Sequence, residues 1–341
     1  MTLMQIEDPD TPPRGFALWS LGFRPFYFLA AVFASISVLL WVLEYAGWLG
    51  VPYLEAPTRH AHEMLFGFAL AVIAGFLLTA VRNWTNRPTP TGGWLAAIVA
   101  VWLAARISMF VGNPLAAGVL NAAFPIVAAI GIAIPIARSR NKRNYFFVPL
   151  LVAAGLAALA VHLAAMGVLP WEARSVAIAI GLDGVMFVIA VVAGRVMPMF
   201  TNNAIPGAGA ERRPWLEKAA LAGILAVIAA DLLGAPPAIM APLAIVVALL
   251  HAARLALWRP WRTLRTPLVW VLHAAYAWIP IHLLLRALAA WGLVAPQFAI
   301  HALTIGAIGG MTAGMMTRTA KGHTGRTLRA DGYDTACYAL V

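Results

Sequence analysis

Apolar and polar positions along the chain sort into ten hydrophobic runs, each close to the 20 or so residues that a helix needs to cross a bilayer core. The runs fall at 25–44, 62–81, 93–112, 114–137, 146–167, 174–199, 215–233, 237–257, 266–289 and 297–318. The run at 215–233 is the weakest, flanked by Lys218 and Asp231. Turn-forming residues punctuate the gaps, as at Gly112-Asn113-Pro114, Pro206-Gly207 and Ala235-Pro236-Pro237. The pattern predicts an all-α polytopic transmembrane helix bundle, one integral membrane domain over residues 1–341.

The polar gaps alternate in charge. Every second loop is basic: Arg82 and Arg87; Arg138, Arg140, Lys142 and Arg143; Arg212, Arg213 and Lys218; Arg254, Arg259, Arg262 and Arg265; Arg318, Lys321, Arg326 and Arg329. The opposite loops hold only Arg59 and Arg174. Cationic loops stay on the cytoplasmic side, so the N-terminus is predicted to be cytoplasmic. Depth follows from this: a residue early in an even-numbered span lies towards the outer face.

Composition closes off the soluble alternatives. The chain is 62% hydrophobic and 11% charged, with a mean hydropathy of +0.83, so its solvent must be lipid. A net charge of +11 does not indicate nucleic acid here, because the cations sit in short loops between apolar runs. The single cysteine, Cys337, allows no intrachain disulfide and no cysteine metal site. The tail from Met1 to Arg14 is polar and acidic and does not read as a signal peptide, which leaves the first apolar helix as an uncleaved signal.

A weak internal period overlays the spans. Thr85, Thr201 and Thr317, at the inner ends of spans two, six and ten, recur at an interval of 116 residues, and Arg138 and Arg143 map onto Arg254 and Arg259 at the same interval. This predicts a pseudo-threefold repeat of four-helix units over about 20–137, 146–257 and 266–341, the last incomplete. Three full units would make twelve helices, of which about ten are present and Thr335 to Val341 would begin the eleventh.

Ionisable residues inside a bilayer are costly and mark function by default. His62 with its neighbour His60, His301, His282 and His162 fall in the outer half by predicted depth; His251 and His273 fall in the inner half, and His323 in the inner loop after span ten. Imidazole suits haem iron and copper. A buried haem ligated on both faces needs two histidines at one depth on facing helices, and His62 and His301 meet the depth condition; each is otherwise a hydrogen-bonded packing histidine. His60 and His62, two residues apart, point to nearly opposite sides of a helix, so one faces the bundle and the other the loop or a second metal. Glu63 either orients an imidazole or pairs with Arg106. Gly306, Gly310 and Gly314 permit close approach of a neighbouring helix or of a flat porphyrin. Met197, Met199, Met311, Met315 and Met316 read as core packing. Asp183 and Arg195 belong to a polar path or to structural pairs.

Several motifs resemble the NnrS family: Phe23-Arg24-Pro25-Phe26; His60-Ala61-His62-Glu63-Met64-Leu65-Phe66-Gly67-Phe68; Gly75-Phe76-Leu77-Leu78-Thr79-Ala80; Asn83-Trp84-Thr85; Gly194-Arg195-Val196 with Phe200-Thr201; Leu272-His273-Ala274-Ala275-Tyr276-Ala277-Trp278; His301-Ala302-Leu303-Thr304 with Gly306; and Met316-Thr317-Arg318 before Gly322-His323-Thr324-Gly325-Arg326. They span nearly the whole chain in order. The resemblance implies a twelve-helix protein of the bacterial inner membrane that carries haem and copper and acts in the nitric oxide response, during denitrification or nitrosative stress. The histidines that match its motifs are His60, His62, His273, His301 and His323, the expected metal ligands; His162, His251 and His282 lie outside them. Arg59 departs from the pattern, where an aromatic residue is expected.

The expected site is one haem b with His62 and His301 as axial ligands and His60 as runner-up, with His273 serving a separate site for which copper is the expected metal. The arrangement is similar, at fold level only, to the main subunit of haem–copper oxidases, but spans six and seven contain no histidine to match its copper ligands. An alternative function class is a membrane metal or proton transporter or sensor that uses the intramembrane histidines. The sequence identifies no catalytic residue, no electron donor and no nucleic-acid partner; the lipid bilayer and nitric oxide or a derived species are the expected partners.

Overall fold

The computed structural model describes residues 17–50 and 53–341; the acidic tail from Met1 to Arg14, which bears on the orientation of the N-terminus, lies outside the described residues. Among these residues, helices are the only regular elements. They are α1 (Phe23–Tyr45), α2 (Ala56–His62), α3 (Leu70–Thr85), α4 (Gly92–Val111), α5 (Pro114–Arg138), α6 (Phe147–Ala165), α7 (Ala173–Ala204), α8 (Pro214–Leu232), α9 (Pro237–Leu257), α10 (Pro267–Ala290), α11 (Pro296–His301), α12 (Gly310–His323) and α13 (Gly332–Leu340). Nine helical stretches among the described residues are long and apolar enough to cross a membrane, α2 running into α3 and α11 into α12 as single spans. The chain is thus a multi-pass membrane protein. The expected span that does not qualify is the weakest one, now α8, which carries Glu217, Lys218 and Asp231 in 19 residues.

Helix ends follow the local sequence. Proline occupies the first turn of α5, α8, α9, α10 and α11, where its missing N–H costs nothing. Gly112, at φ 81°, closes α4, and the Asn113 side chain then caps α5 by accepting from Ala116 N at 3.1 Å. Large apolar side chains such as Phe28, Leu39, Ile107, Leu249 and Ile305 stay exposed on the helix surfaces, as lipid-facing positions must.

The contacts divide the chain into two compact units, Met1–Gly181 and Leu182–Val341. In the first, α1 packs on α2 and α3, α3 on α5, and α5 on α4 and α6. In the second, α9 lies between α8 and α10, and α10 carries α11 and α12. Gly306, Gly310 and Gly314 face α10 directly: a Cβ on them would lie 2.2 Å from Trp278 Cγ, 2.9 Å from Ala275 Cβ and 2.7 Å from Leu272 Cδ2. The glycine stripe therefore serves helix packing, not a porphyrin.

Among the described residues, two stretches wind wider than an α-helix. Glu63–Ala69 joins α2 to α3, and Ala302–Gly309 joins α11 to α12, each as a π-helix with wider turns. Such segments are rare and concentrate at functional sites. Each starts immediately after a histidine, His62 or His301, and each places a glycine five residues beyond it, Gly67 or Gly306. The carbonyl of Gly67 accepts from Trp102 Nε1 at 2.9 Å, and its missing Cβ makes room for the Arg106 guanidinium, 2.5 Å from where a Cβ would be. The threonines of the sequence period share a local role: Thr85, Thr201 and Thr317 each return a hydroxyl hydrogen bond to the carbonyl four residues back, at 2.6, 2.9 and 2.9 Å.

Candidate metal-binding histidines

His62 ends α2, where the π-turn that follows brings Glu63 against the same ring. Its Nδ1 lies 3.0 Å from Glu63 Oε1, and the same oxygen accepts from Arg106 Nη1 of α4 at 2.5 Å. The two roles foreseen for Glu63, orienting an imidazole and pairing with Arg106, are thus realised together. Arg106 also donates through Nη2 to Asn121 Oδ1 of α5. All four side chains are buried, and His62 is fully so. Because Glu63 is ion-paired, it is an acceptor only, so His62 carries its proton on Nδ1 and presents a lone pair at Nε2.

That lone pair faces another histidine. His162, on α6 and also fully buried, places its Nε2 3.1 Å from His62 Nε2, with the rings nearly perpendicular at 81°. His162 Nδ1 in turn lies 3.0 Å from the Tyr53 hydroxyl, which is 3.7 Å from Met109 Sδ. Tyr53 sits between spans; burial, reinforced by the Glu63 carboxylate, pushes its phenol above the ordinary value, so it stays a neutral O–H. A continuous polar line therefore runs from Tyr53 through His162, His62 and Glu63 to Arg106 and Asn121. Sequence reasoning placed His162 at the same level as His62, where the structure has it, and set it aside because it matches no motif. His60, on the opposite side of α2, is half-buried with its ring 4.6 Å from that of Trp41. Arg59, the departure from the family pattern, is buried, donates through Nε to Glu44 Oε2 of α1 at 2.8 Å and lies over the Phe110 ring.

In the second unit, His301 is exposed and its Nδ1 lies 2.8 Å from the Gln297 carbonyl. The carbonyl accepts, so Nδ1 bears the proton and Nε2 carries the lone pair. His273, on α10, is buried; Thr201 Oγ1 gives its proton to the Met197 carbonyl and accepts from His273 Nε2 at 2.9 Å, which leaves Nδ1 as a buried lone pair without a hydrogen-bond partner. His323 is buried at the end of α12. The other two histidines have structural partners. His282 Nδ1 ties α10 to the Ala299 carbonyl of α11 at 2.7 Å, and His251 Nδ1 lies 2.6 Å from the Tyr276 hydroxyl, within a network in which Arg254 binds Glu217, Tyr276 and the Ala190 carbonyl. Asp183 forms a structural pair: it accepts from Arg286, which also binds Asp231. Among the described residues, no group of three or more His, Cys, Asp or Glu side chains converges in a way that could hold a metal ion.

The chain was compared with known families and with curated proteins. The family described as NnrS protein matches residues 17–341, nearly the whole chain. No curated protein matches it.

Proposed function

Since the chain belongs to the NnrS family, membrane proteins of the nitric oxide response, we propose that it is a haem- and copper-containing protein of the bacterial inner membrane acting in nitric oxide response or resistance. The observation that carries this reading is the common use of the ring nitrogens in His62 and His301. Each histidine directly precedes a π-segment, each has Nδ1 held by an acceptor, and each keeps a lone pair at Nε2. A protein that binds metal through imidazole fixes the remote nitrogen in this way, which sets the tautomer and raises the basicity of the ligating one.

The two histidines differ in what they can admit. His301 is exposed, so its Nε2 fits the axial place on haem b. His62 has its Nε2 covered by His162, which fits an ion more readily than a macrocycle. His60, half-buried on the other side of the same helix, is therefore the haem-ligand candidate of the first unit. When bound, the haem would supply nitric oxide binding or electron transfer. The residues around it hold tautomers, exclude water and balance charge: Arg106 neutralises Glu63, so that an orienting carboxylate adds no net charge to the bilayer interior. His273, with its unpartnered Nδ1, and His323 are further metal-ligand candidates of the second unit.

Purified protein from haem-sufficient cells should show a Soret band. His301→Ala and His60→Ala should each lose or shift it; His282→Ala should leave it unchanged. Wild-type spectra in both His60→Ala and His301→Ala would remove this ligand set. Absence of any Soret band would favour the alternative, a transporter or sensor whose histidines handle a metal or protons.

A further inference from the structure

We infer that His62 and His162 together form a buried two-nitrogen site for a soft monovalent cation, Cu(I) in the cell. The inference rests on the copper half of the function proposed above and gives it a place that the motifs do not mark.

The argument begins with protons. His62 Nε2 is a lone pair because Nδ1–H is committed to the Glu63 carboxylate, 3.0 Å away. His162 has two states, set by Tyr53. In the first, the Tyr53 hydroxyl donates to His162 Nδ1 at 3.0 Å, and His162 Nε2–H donates to His62 Nε2 at 3.1 Å, which closes the chain without an ion. In the second, the phenol turns its proton towards Met109 Sδ, 3.7 Å away, and its oxygen accepts from His162 Nδ1–H. Now both Nε2 atoms are lone pairs directed at each other. His162 is neutral in both states, so the imidazole proton only moves from Nε2 to Nδ1. Occupation of the site by a cation then releases no net proton.

Geometry and charge select the ion. Imidazole–metal bonds are about 2.0–2.1 Å, so an ion between the rings needs its two nitrogens about 4 Å apart, and the rings must part by about 1 Å from the 3.1 Å contact. Two opposed nitrogens suit linear two-coordination, which closed-shell monovalent ions accept and divalent ions, with four or more ligands, do not. Both rings are fully buried, and the adjacent Glu63 and Arg106 cancel. The solvation cost of an ion rises with the square of its charge, so a dry neutral site discriminates against a divalent cation.

The test uses the full chain in detergent, titrated anaerobically with Cu(I) against a competing chelator, with copper counted by metal analysis and the ligand shell read by X-ray absorption. The wild type should bind Cu(I) with a two-nitrogen shell and no proton release. In His162→Gln the amide can still donate to His62, which preserves the packing, but Cu(I) affinity should fall by at least about 100-fold, the upper end of what losing a merely supporting residue costs. The Soret band should be unchanged. Tyr53→Phe, which takes the acceptor from His162 Nδ1, should cost about 10-fold or more and serves if the glutamine variant does not fold. Wild-type affinity in either variant, or a sulfur-containing shell, overturns the site while leaving the copper reading intact. A wild type that shows a Soret band but binds no Cu(I) overturns both the site and the copper reading, and leaves the haem reading standing.

Discussion

Replacing Glu63 by glutamine tests the buried charge balance on which the first unit depends. The substitution keeps the shape and removes the charge. Glu63 and Arg106 are both almost fully buried and meet at 2.5 Å, and Arg106 also donates to Asn121. Without the carboxylate, a guanidinium is left desolvated with a neutral partner. Breaking a buried pair from one side costs about 3–5 kcal/mol, less whatever Asn121 and cation–π contact with the Phe33 ring, 5.6 Å away, recover. At roughly 2–4 °C per kcal/mol, the unfolding temperature in detergent should drop by on the order of 10 °C, measured by tryptophan fluorescence or by loss of the monodisperse chromatographic peak. The decisive comparison is the double variant Glu63→Gln with Arg106→Met. Removing both charges relieves the uncompensated one, so the double variant should be more stable than Glu63→Gln alone. If the double variant is less stable than Glu63→Gln by the full cost of Arg106→Met, the two residues are not coupled and the charge-balance argument fails.

Four further outcomes follow from the packing. Gly306→Ala places a Cβ 2.2 Å from Trp278 Cγ and should destabilise by about 1–3 kcal/mol as an overpacked contact, seen as a lowered unfolding temperature; an unchanged temperature would mean that Trp278 swings aside freely. Trp102→Phe removes the donor to the Gly67 carbonyl and should cost about 1–3 kcal/mol for the unpaired group, with faster amide exchange confined to the stretch around 63–70. Asp331→Ala deletes the capping box that Asp331 and Asp334 form at α13 and should cost about 0.5–2 kcal/mol, read as earlier proteolytic clipping between Thr324 and Tyr338. Cysteine labelling from outside the cell should reach a probe at Gly112 and miss one at Lys142; the reverse would invert the predicted orientation and every depth inferred from it.

The spans were legible because transfer of apolar side chains into lipid is additive along a helix, so a run of about 20 residues announces itself. The expected runs and the observed helices differ mainly at their ends. The second expected span begins at Ala56 and the tenth extends to His323, because helical backbone continues into polar sequence where neighbours support it. Their common level was legible too: His62 and His162 were assigned to the same half of the bilayer, and their rings meet. Their pairing was not, because azimuth is fixed by how α2 and α6 are turned, and no residue on either helix encodes the identity of the other's face. The resemblance to known motifs directed attention to His60, His273, His301 and His323 and away from His162. The link between Glu63 and Arg106 was visible from their depth and opposite charge, whereas Asn121, a neutral residue in an alanine-rich run, gave no comparable signal. The π-segments had no signature that hydrophobic periodicity could detect, since they keep the composition of the helices they interrupt.

These segments make the helix a phase shifter. A π-turn holds more residues than an α-turn, so the stretch before Glu63 and the stretch after Ala69 are rotated relative to what one continuous α-helix would allow. An α-helix advances about 100° per residue. Deleting one residue between 63 and 69 would therefore turn His62 by about that angle relative to α3, carrying its Nε2 away from His162 while every contact beyond Leu70 kept its register. In such a helix, the direction in which a ring points can be changed by the length of the chain alone, with the chemistry of its neighbours untouched.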